Sequence, residues 1–317
     1  MLRRSIRFLD FVGIAAVLIG SVGVVYFLST SPIAFQKSMS LSDAPIIDPD
    51  WTIAHAIDAR KVIGSIPYHG SEALSDVLPR KLYERTILEG YGNCANKTRG
   101  LSYLLLEKGI PFERVDLIPT DGFMQGRGHT LVRTKYVLDG VTRVGMIDIL
   151  EGGVPALDRV PIDLPQLRES IPYTLKLLPL NVLVDDHSDY YGSFLETANI
   201  GVIDHREIAR YFRFVETIYV SLNDAKLERF ICNASAVVLG IFPQLHVSPT
   251  EFARLKAQSP VTFALAHALT WSARVFVVVI VLTMSLRFVQ FLRRLLWAPR
   301  TQGAPIAAKP VAWTNGS

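Results

Sequence analysis

Between Phe11 and Leu28 the chain carries no charged residue, and Arg3, Arg4 and Arg7 stand just before that run. A stretch of this length approaches the ~20 apolar residues that a helix needs to cross the hydrocarbon core. Ser29-Thr30-Ser31-Pro32 makes a poor cleavage site, because a proline follows the small residues. An uncleaved anchor is therefore favoured over a cleaved signal peptide. A second apolar stretch, Val275 to Leu286, lies between Arg274 and Arg287 and is too short to span alone. Extended back to Leu269 it takes in Trp271 and Arg274, residues suited to an interface where arginine reaches outward. A buried core helix is the other reading of this stretch. Arg287, Arg293, Arg294 and Arg300 follow it, so basic clusters flank both apolar stretches on their terminal sides. The positive-inside rule then puts both termini in the cytoplasm and residues from about 30 to 270 on the far side.

Composition agrees with a chain partly in lipid: half the residues are hydrophobic and the mean hydropathy is +0.28. The net charge of +4 is small and much of the basic excess lies at the two ends. No basic stripe is interleaved with aromatics, so nucleic acid is not an expected partner. The two cysteines, Cys94 and Cys232, offer neither a disulfide framework nor a zinc cluster, although one bridge between them is open to the chain. The chain has no glycine-rich phosphate loop, and no cofactor is expected.

The expected organisation is an anchor over 1–30, an extracytoplasmic domain over 31–184, a helical extension over 185–265, a second transmembrane helix over 266–296 and a cytoplasmic tail over 297–317. Residues 36–50 read as a polar linker. Helices are predicted over 51–63 and 80–89. Leu101, Leu104 and Leu105 place an apolar stripe on a helix from Cys94 to Lys108, ended by Gly109. Phe112–Ile118 reads as a strand and 121–128 as a glycine-rich loop. Two further strands, 129–137 and 142–150, join through Asp139-Gly140, a strong hairpin signal. Residues 151–184 hold Pro155, Pro161, Pro165, Pro172 and Pro179 and read as an irregular connector. Helices return over 205–223 and 225–239. The fold class is α+β: helices, a small antiparallel sheet, then more helices.

Three residues carry the chemical argument. Cys94 sits at a helix start behind Gly92 and Asn93, where unpaired backbone N–H groups and the helix dipole favour an anion. A thiol there gains thiolate character, Asn93 is a plausible N-cap, and the same amides suit a developing oxyanion. With Asp139-Gly140 as a two-residue turn, Leu138 pairs with Val141, and counting back along both strands sets Asp148 opposite Leu131. His129 shares strand parity with Leu131, so His129, Leu131 and Asp148 point to one face. Diagonal partners lie ~7–8 Å apart at the backbone, within reach of a His–Asp hydrogen bond. A turn one residue longer would put the ring and the acid on opposite faces. Together these residue types form a nucleophile, its base and a carboxylate that fixes the imidazole tautomer. Singly, each has a plainer reading: a small buried thiol, a structural histidine, a solvated strand-end carboxylate.

The stretch GYGNCANKTRGLSYLLLEKGIPFERVDLI resembles the cysteine motif of the transglutaminase-like superfamily, with a glycine and a short polar residue before Cys, a helix, then a GIP turn into a strand. GHTLVRTKY resembles its histidine motif and GMIDIL its aspartate motif. The resemblance covers roughly residues 80–152. It implies a papain-like α+β fold, with the cysteine helix packed on a small antiparallel sheet, and amide or ester acyl transfer by Cys94, His129 and Asp148. It also implies a bacterial membrane-anchored protein of the inner membrane, its domain in the periplasm facing peptide or protein substrates of the envelope. The family often has an aromatic residue soon after the histidine, where this chain has Thr130-Leu131. Calcium-regulated members carry acids beside the cysteine; Ala95 and Asn96 stand here, so no metal site is expected there. Two rival readings are a non-catalytic member that kept the fold as a binding module, and a structural membrane protein in which the three residues coincide by chance.

Other features are read plainly. Asp185, Asp186, His187 and Asp189 form a solvated acidic loop. His205 and Glu207 open a helix and suit its dipole. Asn96-Lys97-Thr98 and Asn233-Ala234-Ser235 match glycosylation sequons but fall in predicted helices. Tyr211, Phe212, Phe214 and Tyr219 form an aromatic stripe of core or partner-facing type, and Cys232 is expected to be buried and inert.

Overall fold

The computed structural model describes residues 8–20, 36–38, 56–118, 128–169, 175–180, 199–258 and 260–296. Most of the 36–50 linker, the 121–127 loop, the acidic cluster at 185–189, the second half of the expected first anchor and the tail all lie outside the described residues. Contacts divide the chain into two units, residues 1–18 with 272–317 and residues 19–271.

The first unit pairs α1 (Phe8–Gly20) with the second half of the last helix of the chain, Pro260–Leu296. A Cβ on Gly13 would meet Val279 Cγ1 at 3.2 Å, so the two backbones approach closely there. Arg274–Arg293 is long and apolar enough, by length and composition, to cross a membrane. Its side chains face outward, with Val278, Val281, Met284 and Phe288 exposed, which is the opposite of a buried core helix. The described part of α1 is apolar but shorter.

The second unit is α+β. Its elements run β1 (Gln36–Ser38), β2 (Ile57–Asp58), α2 (Ala59–Gly64), α3 (Pro79–Tyr83) with a π-helical turn (Glu84–Leu88), α4 (Cys94–Glu107), β3 (Phe112–Ile118), β4 (His129–Leu138) and β5 (Val141–Ile147). Then come β6 (Gly153–Leu157), β7 (Val160–Pro161), α5 (Leu164–Glu169), β8 (Leu175–Pro179), β9 (Asn199–Asp204), α6 (His205–Ile218), α7 (Ala225–Val238), β10 (Leu245–Val247) and α8 (Pro249–Gln258), with α9 the Pro260–Leu296 helix.

The main sheet has seven strands, ordered β1-β10-β9-β3-β4-β2, with β5 on the other side of β4. The expected small antiparallel sheet is thus enlarged. The stretch after 185, read from its local pattern as helical, supplies β9 and β10, and two strand pairs, β1 with β10 and β2 with β4, are parallel. Strand β9 has apolar residues on a short segment, and its pairings with β3, from Glu113–Asp204 to Ile118–Asn199, and with β10 make it a strand. Residues 151–184 likewise hold a three-stranded sheet, β7-β6-β8, and α5, where an irregular connector was expected. Pro161 lies on the edge strand β7 and Pro179 ends β8, whereas Pro155 sits inside the central strand β6 opposite Leu177.

Strand β4 is the middle of the unit and is buried on both faces. Val132, Tyr136 and Leu138 join Leu101 and Leu105 of α4 in one core. Leu131 joins Val115, Met146, Ile162 and Leu164 in a second. Helix α4 comes down close to the π turn because residue 100 is glycine; a Cβ there would run into Thr86 Oγ1. Phe212, Val215, Cys232 and Ala236 bring α6 and α7 into the α4 core.

Candidate active site

Helix α4 starts at Cys94. Asn93 is its N-cap, in extended backbone, and its side chain accepts from Asn96 N–H at 3.0 Å. The first turn is tied down twice more. Asn96 holds the backbone of Leu74 in both directions, accepting from its N–H at 2.9 Å and donating to its carbonyl at 3.2 Å. Thr98 Oγ1 donates to the Thr130 carbonyl at 3.2 Å, locking the helix to β4 beside His129. Asn96 is therefore buried and engaged, which removes the first sequon as a modification site. Cys94 Sγ lies 3.9 Å from the carbonyl oxygen of Gly128, the residue before β4, so the sulfur stands at the start of that strand. Both cysteines are unbridged; Cys94 is partly exposed and Cys232 buried.

The hairpin has the register read from the two-residue turn: Leu138 pairs with Val141 and Val132 with Ile147. Asp139 and Gly140 both have positive φ, 52° and 77°, the type I′ geometry that keeps the turn to two residues. One step past the last pair, Asp148 leaves β5 opposite Leu131. Its backbone exchanges hydrogen bonds with Gly153, N–H to O at 2.9 and 3.0 Å, which links the main sheet to β6. Its Oδ1 accepts from the N–H groups of Leu150 and Glu151, both at 3.1 Å. Its Oδ2 lies 2.5 Å from His129 Nε2. Ring and carboxylate are 1% and 0% exposed.

This geometry fixes the tautomer. A carboxylate accepts, so Nε2 carries a hydrogen and donates to Asp148, leaving Nδ1 for the cysteine. Burial alone would lower the His129 pKa. The Asp148 charge and hydrogen bond oppose burial, with a hydrogen bond and charge from Cys94 adding to them, and raise it to about 10. The imidazolium is thus the favoured form of this ring. Cys94, His129 and Asp148, singled out from the sequence, are brought together in one place.

Lys97 was not singled out. It is 1% exposed, with its Nζ 4.6 Å from the centre of the Tyr68 ring. Burial lowers its pKa against the charges of Glu151 and Asp148, which raise it. A signal was there to read: Lys97 lies four and eight residues before Leu101 and Leu105, on the buried stripe of α4. The Leu150 and Glu151 amides that hold Asp148 carry no such signal, because any residue supplies them.

Several other polar groups tie elements together. Glu207 accepts from Gln244 N–H at 2.7 Å and meets His246 Nε2 at 2.9 Å, so it fastens β10 beside the α6 start. Asp204 caps α6. Tyr211 and Phe212 are core residues. Among the described residues no group of three acidic, histidine or cysteine side chains could hold a metal ion. Compared with known proteins, the chain matches no family model, no curated protein and no solved structure.

Proposed function

We propose that this protein is a membrane-anchored thiol enzyme of transglutaminase-like type that cleaves or transfers an amide acyl group. The observation that carries the reading is the buried His129 ring with Asp148 2.5 Å from its Nε2 and Cys94 as the partner of its other side. In the first half-reaction the Cys94 thiolate attacks the carbonyl carbon and forms a C–S bond. The charge moves to the carbonyl oxygen, which the backbone N–H groups at the start of α4 are placed to receive. The His129 imidazolium gives its proton to the departing amine as the C–N bond breaks, leaving a thioester. Water, or an amine, then attacks the thioester while His129 takes its proton, and the thiolate leaves. Asp148 holds the ring orientation and favours its charged form throughout.

The papain-like arrangement, with the nucleophile on a helix tip and the base and acid on neighbouring strands, belongs to this proposal. So does location: Arg274–Arg293 as a span, α1 as the start of an anchor, both termini in the cytoplasm and the thiol domain outside the inner membrane. Envelope peptides or proteins follow as substrates from that location, and hydrolysis is favoured over crosslinking because water is abundant there.

The test compares the two cysteines of the intact protein. Iodoacetamide is expected to label Cys94 far faster than Cys232, and His129→Ala to slow labelling of Cys94 alone. An acyl-directed activity probe in envelope extracts is expected to mark wild type and not Cys94→Ala. Equal, slow labelling of both cysteines, unaffected by His129→Ala, would leave a non-catalytic binding module in its place.

A further inference from the structure

On the side of α4 away from the thiol, a second charged cluster is assembled that the proposed chemistry does not use. Arg99 projects from α4 toward α6 and α7. Its guanidinium carbon lies 6.0 Å from the centre of the Tyr211 ring. Its Nη2 is sealed from solvent and has no hydrogen-bond partner. Beyond burial, the group that acts on it most is Tyr211, which also takes a hydrogen bond from it; the charges that follow are two further arginines, Arg229 of α7 and Arg114 of β3, and among the described residues no carboxylate joins them. Arg114 is neutralised by Asp116, which takes its Nε and Nη2 at 2.8 and 2.9 Å. Among the described residues no carboxylate meets Arg229, whose contact is a long one, Nη1 to the Leu74 carbonyl at 3.4 Å. Asn233, one turn after Arg229 on α7, accepts from the Tyr211 hydroxyl through Oδ1 at 2.5 Å, which leaves its amide N–H groups as donors. Arg99, Arg229 and Asn233 therefore supply donors to one junction of three helices, and Tyr211 spends its hydrogen on Asn233.

A buried cation without a counter-ion is costly, by several kcal/mol in general. Elsewhere in this protein the cost is avoided. Arg133, 1% exposed, meets Glu113 at 2.8 Å and Asp163 twice at 2.6 Å. Two adjacent guanidiniums with donors to spare are the arrangement that binds a planar or tetrahedral oxyanion, because the fork of N–H groups matches its oxygens.

We infer that the junction of α4, α6 and α7 is a binding site for a small oxyanion group, a carboxylate or a phosphate, held by Arg99 and Arg229 with Asn233 as a further donor. The site goes beyond the thiol chemistry and does not depend on it. It is coupled to Cys94 through the chain, however. Arg229 and Asn96 both hold the Leu74 carbonyl, and Asn96 is in the first turn of the cysteine helix. An anion that draws Arg229 toward Arg99 acts on the same backbone atom that steadies that turn.

The experiment follows thermal unfolding of the full chain in detergent, with inorganic phosphate and, separately, succinate titrated at constant ionic strength. A saturable rise in midpoint with at least one of them is expected, and whichever binds tighter identifies the group. Arg229→Gln is expected to weaken that binding by about tenfold or more, the loss of one charge-assisted contact. Asn233→Asp supplies a carboxylate from within; it should raise the midpoint without added anion and remove the response to phosphate. This variant guards against a failure of Arg99→Gln to fold. The inference is overturned if neither anion gives a saturable shift, if Arg229→Gln responds like wild type, or if Asn233→Asp lowers the midpoint and leaves the response intact. None of these readouts involves turnover, so they stand or fall apart from the fate of Cys94.

Discussion

His129 and Arg133 lie four residues apart on β4, share strand parity and are equally buried, yet their surroundings differ in kind. Arg133 spends Nε, Nη1 and Nη2 on Glu113 and Asp163. Its donors are engaged by groups of the protein itself, and such a network orders a core without offering anything to a ligand. His129 gives one side of its ring to Asp148 and turns the other to a thiol at a helix tip. Buried charge alone therefore does not mark a reactive site in this protein. What separates the two is a partner that is a free thiol, partly open to solvent.

The sharpest way to break the contrast is His129→Ala. Loss of a positioned base and ion-pair partner is expected to slow Cys94 alkylation at neutral pH by roughly 10²-fold or more, and also to lower the unfolding midpoint, because Asp148 is left buried without its cation. Arg133→Met should affect stability alone. Stripping the cation from Glu113 and Asp163 is expected to cost about 3–5 kcal/mol of stability by denaturant unfolding. Where the variant is still folded, its Cys94 should react at the wild-type rate. If Arg133→Met slows the thiol as much as His129→Ala, the two clusters are one system and the distinction fails.

Asp148→Asn sharpens the comparison through pH. The His129 pKa is raised in the folded protein, to about 10, above the unfolded value near ~6.5. The pair's contribution to stability is therefore complete below about pH 6.5 and is lost as the pH rises through about 10. In Asp148→Asn that alkaline loss should vanish, and the ring titration followed by NMR should move down toward or below the ordinary histidine value, since burial then acts with little opposition. An unchanged titration would show that Asp148 does not set the charge of the ring. The smallest effect is expected at the hairpin tip. Arg60 binds Asp139 at 2.6 Å, but both side chains are more than half exposed, so Arg60→Ala should leave the unfolding midpoint and the thiol rate unchanged within error.

Much of the site could be read in the chain before any coordinates. Asn93 and Gly109 bound the helix at both ends, and the apolar spacing of Leu101 and Leu105 gives its inner face. The Asp139-Gly140 turn admits positive φ at both positions, and that short-range fact sets the register on which His129 and Asp148 share a face. The strands at 199–204 and 245–247 were not legible, because each is short and becomes a strand only through partners far along the chain. The sheet in 151–184 was hidden by its prolines, of which Pro161 lies on its edge strand, Pro179 ends β8 and Pro155 sits inside β6. The surroundings of Arg99 and Arg133 were hidden as well. Each is an ordinary basic residue in sequence, and what distinguishes them is the company burial gives them.

The amino-acid order by itself settled what depends on neighbours a few residues apart: where α4 begins, the two-residue turn, strand parity and the two apolar terminal stretches. Those follow from backbone sterics and periodicity, which act locally. Only the tertiary structure decided which cation receives a counter-ion. Arg133 meets two carboxylates 20 and 30 residues away, whereas Arg99 meets the Tyr211 ring and feels the charge of Arg229 from α7. Those pairings arise when distant segments pack and exclude water together, and removal of water is what makes the company of a charge matter.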